Sequence, residues 1–235
     1  MHYSTGSDSL SMTNISEICN KQIVAMIIST SKLYYLTIIN FMTDNRKNLK
    51  LLCDELNQLR EHTKKLRNDS CNVIANMEID TPPQLCQYYM RMVDAAGETG
   101  NSLFYIYKPV FEYMDNNNNK PFFDVQINEM TELSDEMTIF FNTVLHTLKN
   151  RKYENYSEDI RKCKQSVFDL LDKFQRKQLK RIKRKEVSTN NSMLYFNMLG
   201  ETKNLTVFTV NMVKADSKIY IASEKIREQR MAAHF

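Results

Sequence analysis

The apolar positions of this chain recur at alternating steps of three and four, the period of an α-helix, in one long stretch after another. The clearest run is Leu49, Leu52, Leu56, Leu59, Thr63, Leu66, Ser70, Val73 and Met77, with Lys, Arg, Glu and Asp filling the other faces. It breaks at Asp80-Thr81-Pro82-Pro83, where Thr81 is expected to cap the next helix, Pro82 to take its first position and Gln84 to complete a capping box. That next helix carries Leu85, Tyr89, Met92, Ala96, Thr99, Leu103 and Ile106 on one face. Pro109, late in it, is expected to kink or weaken it. Asp115 to Pro121, with four consecutive asparagines and then Lys-Pro, is the strongest loop signal in the chain. Beyond it the pattern predicts helices over 122–150, over 153–186 with Ser157 as a cap of its regular part, and from Met193 to about Glu228 with Ser188 as a cap. Ahead of all these, Ile23 to Ile39 is apolar but contains Lys32 and several Ser and Thr. It reads as a centrally buried helix that falls short of the roughly 20 apolar residues a membrane span needs.

Six helices invite a search for repetition. Gly97-Glu98-Thr99-Gly100-Asn101 matches Gly200-Glu201-Thr202-Lys203-Asn204 at an offset of 103 residues, which also pairs Met90 with Met193 and Asp94 with Asn197. The same offset lays the first three helices approximately over the last three. The expected architecture is all-α, a tandem of two antiparallel three-helix bundles over 14–116 and 120–228. Residues 1–13 read as a disordered leader or linker, and 229–235 as a frayed end. A glycine inside a helix costs up to about 1 kcal/mol, so Gly97 and Gly200 are each expected to face the close approach of another helix.

Composition narrows the picture. Four glycines and four prolines in 235 residues are too few for the turns of a β-sandwich or barrel. Fourteen Met and no Trp suit helical cores. The five cysteines (Cys19, Cys53, Cys71, Cys86, Cys163) are odd in number and scattered, which argues against a disulfide framework or zinc knuckle and for a reduced, cytosolic setting. The first residues lack the basic flank and apolar run of a signal peptide. A net charge of +4 does not by itself imply nucleic acid.

Two charged clusters are candidate sites. Asp94, Glu98 and Ser102 lie four apart on one stripe of the third helix, turned away from its apolar seam. Such a stripe is either a solvated acidic face or a place where oxygen ligands share a hard cation. The second cluster is the basic run of Lys173, Arg176, Lys177, Lys180, Arg181, Lys183, Arg184 and Lys185, interleaved with Phe174, Leu179 and Ile182. It reads as a solvated late-helix face suited to the dipole, or as a contact for anionic lipid or an acidic partner. No reading motif for nucleic acid accompanies it. Of His2, His62, His146 and His234, two lie near the ends and the others lack a catalytic or metal pattern in sequence. With no phosphate-cradling loop and no nucleophile elbow, no enzyme is expected. The aromatics Tyr88, Tyr89, Phe104, Tyr105, Phe140, Phe141, Phe168 and Phe174 are expected in the core.

A helical duplication with an acidic i, i+4 pair on the third helix of each half resembles the PhoU family, whose motif is an acid, three residues, then Asp. Here the equivalents are Asp94-Ala-Ala-Gly-Glu98 and Asn197-Met-Leu-Gly-Glu201. Three further stretches resemble the PhoU-like C-terminal region of bacterial sodium/phosphate cotransporters: Asp44-Asn-Arg-Lys-Asn-Leu-Lys-Leu-Leu, Tyr105-Ile-Tyr-Lys-Pro-Val-Phe-Glu-Tyr-Met-Asp-Asn-Asn and Leu194-Tyr-Phe-Asn-Met-Leu-Gly-Glu-Thr-Lys-Asn-Leu. The similarity runs from about Ile15 to Ile219. It implies a cytoplasmic regulator of sodium-dependent phosphate transport at the inner membrane face. Its partner would be a membrane phosphate transporter, in cis if the chain is a fragment, or a phosphate-signalling protein, and self-association stays open. The cotransporter's membrane part has no counterpart here, so the chain is expected to act by contact and not to carry phosphate. No cofactor is required. Because some PhoU relatives bind metal clusters, the resemblance admits a divalent or iron/zinc-type metal at Asp94, Glu98 and Glu201, which Asn197 in place of an acid weakens. The alternative reading is a metal-binding helical-bundle protein, and a third is a coiled-coil spacer forming one long rod.

Overall fold

A computed structural model describes residues 12–116, 119–151, 153 and 156–232. They form six helices and, among the described residues, no strand: α1 (Met12–Met42), α2 (Arg46–Ala75), α3 (Pro83–Asp115), α4 (Asp124–Asn150), α5 (Tyr156–Lys183) and α6 (Thr189–Ala232). The seam read from α2 is the face it buries: Leu49, Leu52, Leu56, Leu59, Thr63 and Ser70 are inside, and Leu66 and Val73 pack partly against the core, while Met77, also buried, follows the helix end at Ala75. All seven positions named on α3 are buried. Its continuation through Pro109 is helical to Asp115.

The most extensive helix pairing joins α3 to α6, and α1 packs against α4. Helix α2 covers α1 and α3, while α5 covers α4 and α6. With the 103-residue offset, these are like-with-like pairs: third helix on third, first on first, second helices outermost. The apolar core is continuous from Ile15 to Ile219 across both halves. The two triplets therefore share one interior, and the packed arrangement is not a single rod.

Local chemistry sets the boundaries. Asn45 caps α2 by accepting from the Asn48 N–H at 3.1 Å. Ser188 accepts from the Asn191 N–H at 3.2 Å at the start of α6, as expected. Thr81 does not cap α3. The N-cap is Pro82 at φ −59°, ψ 135°, and the buried Thr81 hydroxyl has no hydrogen-bond partner. The cause is Pro83, whose ring disfavours helical geometry in the residue before it. The helix thus starts one residue late and leaves Thr81 out of reach. At the other end α6 extends past Glu228 to Ala232, and Arg230 donates to Glu78 at 2.7 Å and Asp80 at 3.0 Å from the α2–α3 connection. The expected leader lies mostly outside the described residues; Met12 and Thr13 are helical.

The reading of α1 as too short to span a membrane is corrected. Over Asn14–Met42 the helix is long and apolar enough by length and composition, and 44% of its most apolar window is buried. It packs on α2, α3, α4 and α6, which is what a central helix of a bundle requires. Among the aromatics expected inside, Tyr89, Phe140, Phe141 and Phe174 are buried, whereas Tyr105 is exposed.

Candidate functional site

The acidic stripe of α3 is not an open carboxylate pair. Arg67, reaching across from α2, lies 3.6 Å from Asp94 and 3.3 Å from Glu98, so one guanidinium sits between two carboxylates. Gly97 makes this possible: a Cβ there would stand 2.6 Å from Arg67 Nη2. Gly100, one turn on, faces Thr63 of α2 at 3.3 Å in the same sense. One heptad before Arg67, Arg60 stacks on Phe104 with its guanidinium carbon 4.0 Å from the ring centroid. The α2–α3 contact is thus two arginines laid onto α3, one over an aromatic ring and one into a glycine notch. Gly200 has nothing within 4 Å of a built Cβ, so the expectation of a shared close approach is overturned in the second half. Ser102 is buried rather than part of an exposed stripe, because α1, α2 and α6 all pack on α3.

Asp94 and Glu98 line a groove of about 670 Å³ between the first half of α3 and the last part of α6. Tyr88, Arg91 and Ala95 complete the α3 wall, and Phe208, Asn211, Lys214, Ala215 and Lys218 form the α6 wall. A second groove of about 340 Å³ joins Pro109, Glu112 and Tyr113 of late α3 to Asn190, Met193, Leu194 and Asn197 of early α6. Early α3 beside late α6, and late α3 beside early α6, means that the two helices run antiparallel. The grooves fall on equivalent positions of the repeat: Asp94 matches Asn197, Arg91 matches Leu194, and Ala215 matches Glu112. Glu201, the third residue suggested for metal, lines neither groove and accepts from Asn204 at 3.3 Å. Two carboxylates already holding a guanidinium, with Glu201 elsewhere, do not make a donor set for a divalent ion. Among the described residues no group of three or more His, Cys, Asp or Glu is gathered for one.

The basic run divides by burial. Arg181 is only 12% exposed at its side chain and donates to the buried Glu129 at 2.6 Å, with Lys177 3.2 Å from the same oxygen. The Tyr195 hydroxyl donates to the other oxygen at 2.5 Å. Burial alone pushes the Glu129 carboxyl up, and the bonds from Arg181, Tyr195 and Lys177 more than reverse it, leaving its pKa below the ordinary value. Beside it Gln126, Gln178, Asn191 and Ser192 form a buried amide and hydroxyl network joining α4, α5 and α6. Arg181 therefore leaves the docking set, and Lys177 is half committed. Arg176, Lys180, Lys183, Arg184 and Lys185 are exposed, and so are Leu179 and Ile182 between them. Lys185 closes the helix at φ 58°.

Two features escaped sequence reasoning because the residues are distant along the chain. Asp216 of α6 is buried and accepts from Tyr153 and, at 3.0 Å, from Asn20 of α1, while burial raises its pKa. His146, with no visible partner in sequence, lines a groove of about 650 Å³ with Asp159, Lys162 and Cys163. No hydrogen bond joins His146 to either Asp159 or Cys163; its ring faces Asn150 at 3.2 Å, and the thiol faces Thr143 at 3.5 Å. His2 and His234 lie outside the described residues.

No protein-family model matches the chain, and no curated protein aligns with it significantly.

Proposed function

We propose that this chain is a PhoU-like regulatory and docking module that acts by protein contact on sodium-dependent phosphate transport at the cytoplasmic face of the membrane. The observation that carries the reading is the duplication: two triplets of helices with matching order, packed third helix on third and first on first, with two equivalent grooves between α3 and α6. The stretches quoted above that resemble the cytosolic region of sodium/phosphate cotransporters fall on that frame, on α2, α3 and α6. Such a frame offers broad helical faces for a partner. The end of α5 supplies the most pronounced of them, with five exposed cations around Leu179 and Ile182, a composition suited to an acidic protein surface beside anionic headgroups.

The test is to express the tagged chain with a sodium/phosphate cotransporter and measure both co-purification and sodium-dependent uptake of labelled phosphate. The reading expects the transporter to co-purify and uptake to change. The triple variant Lys180→Glu, Lys183→Glu and Arg184→Glu should weaken both effects. Uptake unaltered by the chain, together with no recovery of the transporter, would overturn it.

A further inference from the structure

The groove between early α3 and late α6 is segregated by charge. Because the helices are antiparallel, Tyr88 and Arg91 at the start of α3 face Lys214 and Lys218 late in α6, while Glu98 faces Phe208. At the acidic end the single guanidinium of Arg67 offsets one of the two charges of Asp94 and Glu98. At the other end Arg91, Lys214 and Lys218 are exposed and, among the described residues, have no carboxylate within ion-pairing distance. Three cations from two helices around one concavity outnumber its two carboxylates, one of whose charges Arg67 offsets, and leave the groove with a positive excess at this end.

Lysines and arginines without partners are common on helix surfaces, and the internal repeat supplies the control for that bland explanation. At the equivalent groove Arg91 becomes Leu194, Lys214 becomes Phe111 and Lys218 becomes Asp115. Asn211 becomes Lys108, which is paired with Glu112 at 3.8 Å. Ala95 and Ala215, both buried in the first groove, correspond to Met198 and Glu112. The α3–α6 pairing thus forms without the three cations and without the alanines. The first copy alone is hollowed out, to about 670 Å³ against 340 Å³, and made basic. Charge and space have been concentrated in the same half of a duplicated frame.

We propose that this groove binds a soluble polyphosphorylated small molecule, with its phosphoryl oxygens at Arg91, Lys214 and Lys218. Arginine offers a planar fork that matches phosphoryl oxygens, and the two lysines one turn apart on α6 supply point charges beside it. The half-buried ring of Phe208, on the α6 wall toward Glu98, offers an apolar surface for an organic portion extending from the cationic end. The volume lies within the range of small-molecule sites. The site goes beyond the docking role proposed above and does not depend on it.

The experiment is isothermal titration of the full chain with ATP and, separately, with inorganic pyrophosphate. Saturable binding at one site per chain is expected for at least one probe. It should weaken on the order of tenfold for each cation removed, the loss of one charge-assisted hydrogen bond, in Arg91→Ala and in Lys214→Ala. All three cations are exposed, so helical circular dichroism and thermal midpoint should be preserved. Lys183→Ala with Arg184→Ala at the end of α5, and Glu112→Ala at the equivalent groove, should leave binding unchanged. Three results would each overturn the assignment: no binding of either probe; binding abolished by the α5 pair and untouched by the groove variants; or capture by phosphoinositide vesicles with neither soluble probe bound, which would make the ligand a lipid headgroup.

Discussion

Glu129→Ala should be one of the most damaging single substitutions in this protein, and the structure says by how much. The carboxylate is 3% exposed at its side chain and receives Arg181 at 2.6 Å, Lys177 at 3.2 Å and Tyr195 at 2.5 Å. Removing it strands a guanidinium that is 12% exposed, and breaking a buried pair in this way costs about 3–5 kcal/mol. A buried hydroxyl left without its acceptor adds about 1–3 kcal/mol, though the two losses overlap and do not sum. Two features pull the total down: Arg181 retains Gln178 Oε1 at 3.0 Å, and Lys177, 44% exposed, relaxes into solvent at little cost. The net expectation is a loss of about 3–4 kcal/mol, or roughly 6–16 °C in thermal midpoint for a chain of this size. Urea unfolding followed by circular dichroism measures it, with Glu132→Ala as the control. Glu132 pairs with Lys173 at 2.8 Å on the same two helices, but both side chains are 47% exposed, so its removal should cost no more than about 0.5 kcal/mol. If Glu129→Ala is no worse than Glu132→Ala, the reasoning about desolvated charge at the α4–α5–α6 junction is wrong. Adding Arg181→Met to Glu129→Ala should recover part of the loss, since the stranded charge is then gone.

Other expectations follow from the same structure. Gly200→Ala should stabilise by about 0.5–1 kcal/mol, the helix-propensity gain with open space to receive the methyl group, as read by the urea midpoint. A loss instead would mean that the site is closed by something the helix packing does not show. Asp216 and Glu129 should bend the pH dependence of stability in opposite senses. The pKa of Asp216 is raised on folding, so its penalty grows as pH climbs from the ordinary Asp range through that raised value. Asp216→Asn should therefore gain on the wild type at pH 8 and converge with it near pH 3. The pKa of Glu129 is lowered, so its contribution is present above the ordinary Glu range and is lost as pH falls through the depressed value. Glu129→Gln should flatten that acid limb. Arg67→Ala should bind Mn²⁺ more tightly than the wild type by exposing Asp94 and Glu98 together; equal binding would show that the guanidinium does not mask the pair.

Legibility in the sequence followed the range of the interactions. The seam of α2 and the buried face of α3 are periodic within one helix, so residues such as Leu49, Leu56, Leu85 and Met92 could be assigned without knowing their neighbours. Ser188 could be recognised as a cap because its acceptor and the Asn191 donor are three residues apart. Thr81 failed on a competing local rule, the restriction that Pro83 places on the residue before it. The site was less visible because it is written across helices. Asp94 and Glu98 looked like an open pair until Arg67 arrived from α2, and Arg181 looked like one more surface cation until Glu129 came from α4. A sequence signal for the first existed: Gly97, with no cap or turn to explain it, marked the point where something must lie against α3, although not that the visitor was a side chain.

The duplication explains why charge counting along the chain could not show which charges of each cluster are already paired. In a repeated frame, a residue's meaning depends on what its equivalent has become and on which outer helix lies beside it. Helix α2 clamps α3 through Arg60 and Arg67, and α5 is tied inward through Lys177 and Arg181 to Glu129, so in both halves the second helix delivers cations to its neighbours. In both cases those contacts consume charges that a linear reading left exposed: carboxylates in the first half, cations in the second. Two exposed clusters keep a positive excess, the Arg91, Lys214 and Lys218 end of the α3–α6 groove and the end of α5. One is concave, with the Tyr88 ring beside it; the other is convex and interleaved with Leu179 and Ile182. Shape separates their uses: a concavity can surround a small anion, whereas a convex basic and apolar end can only lie against a larger surface.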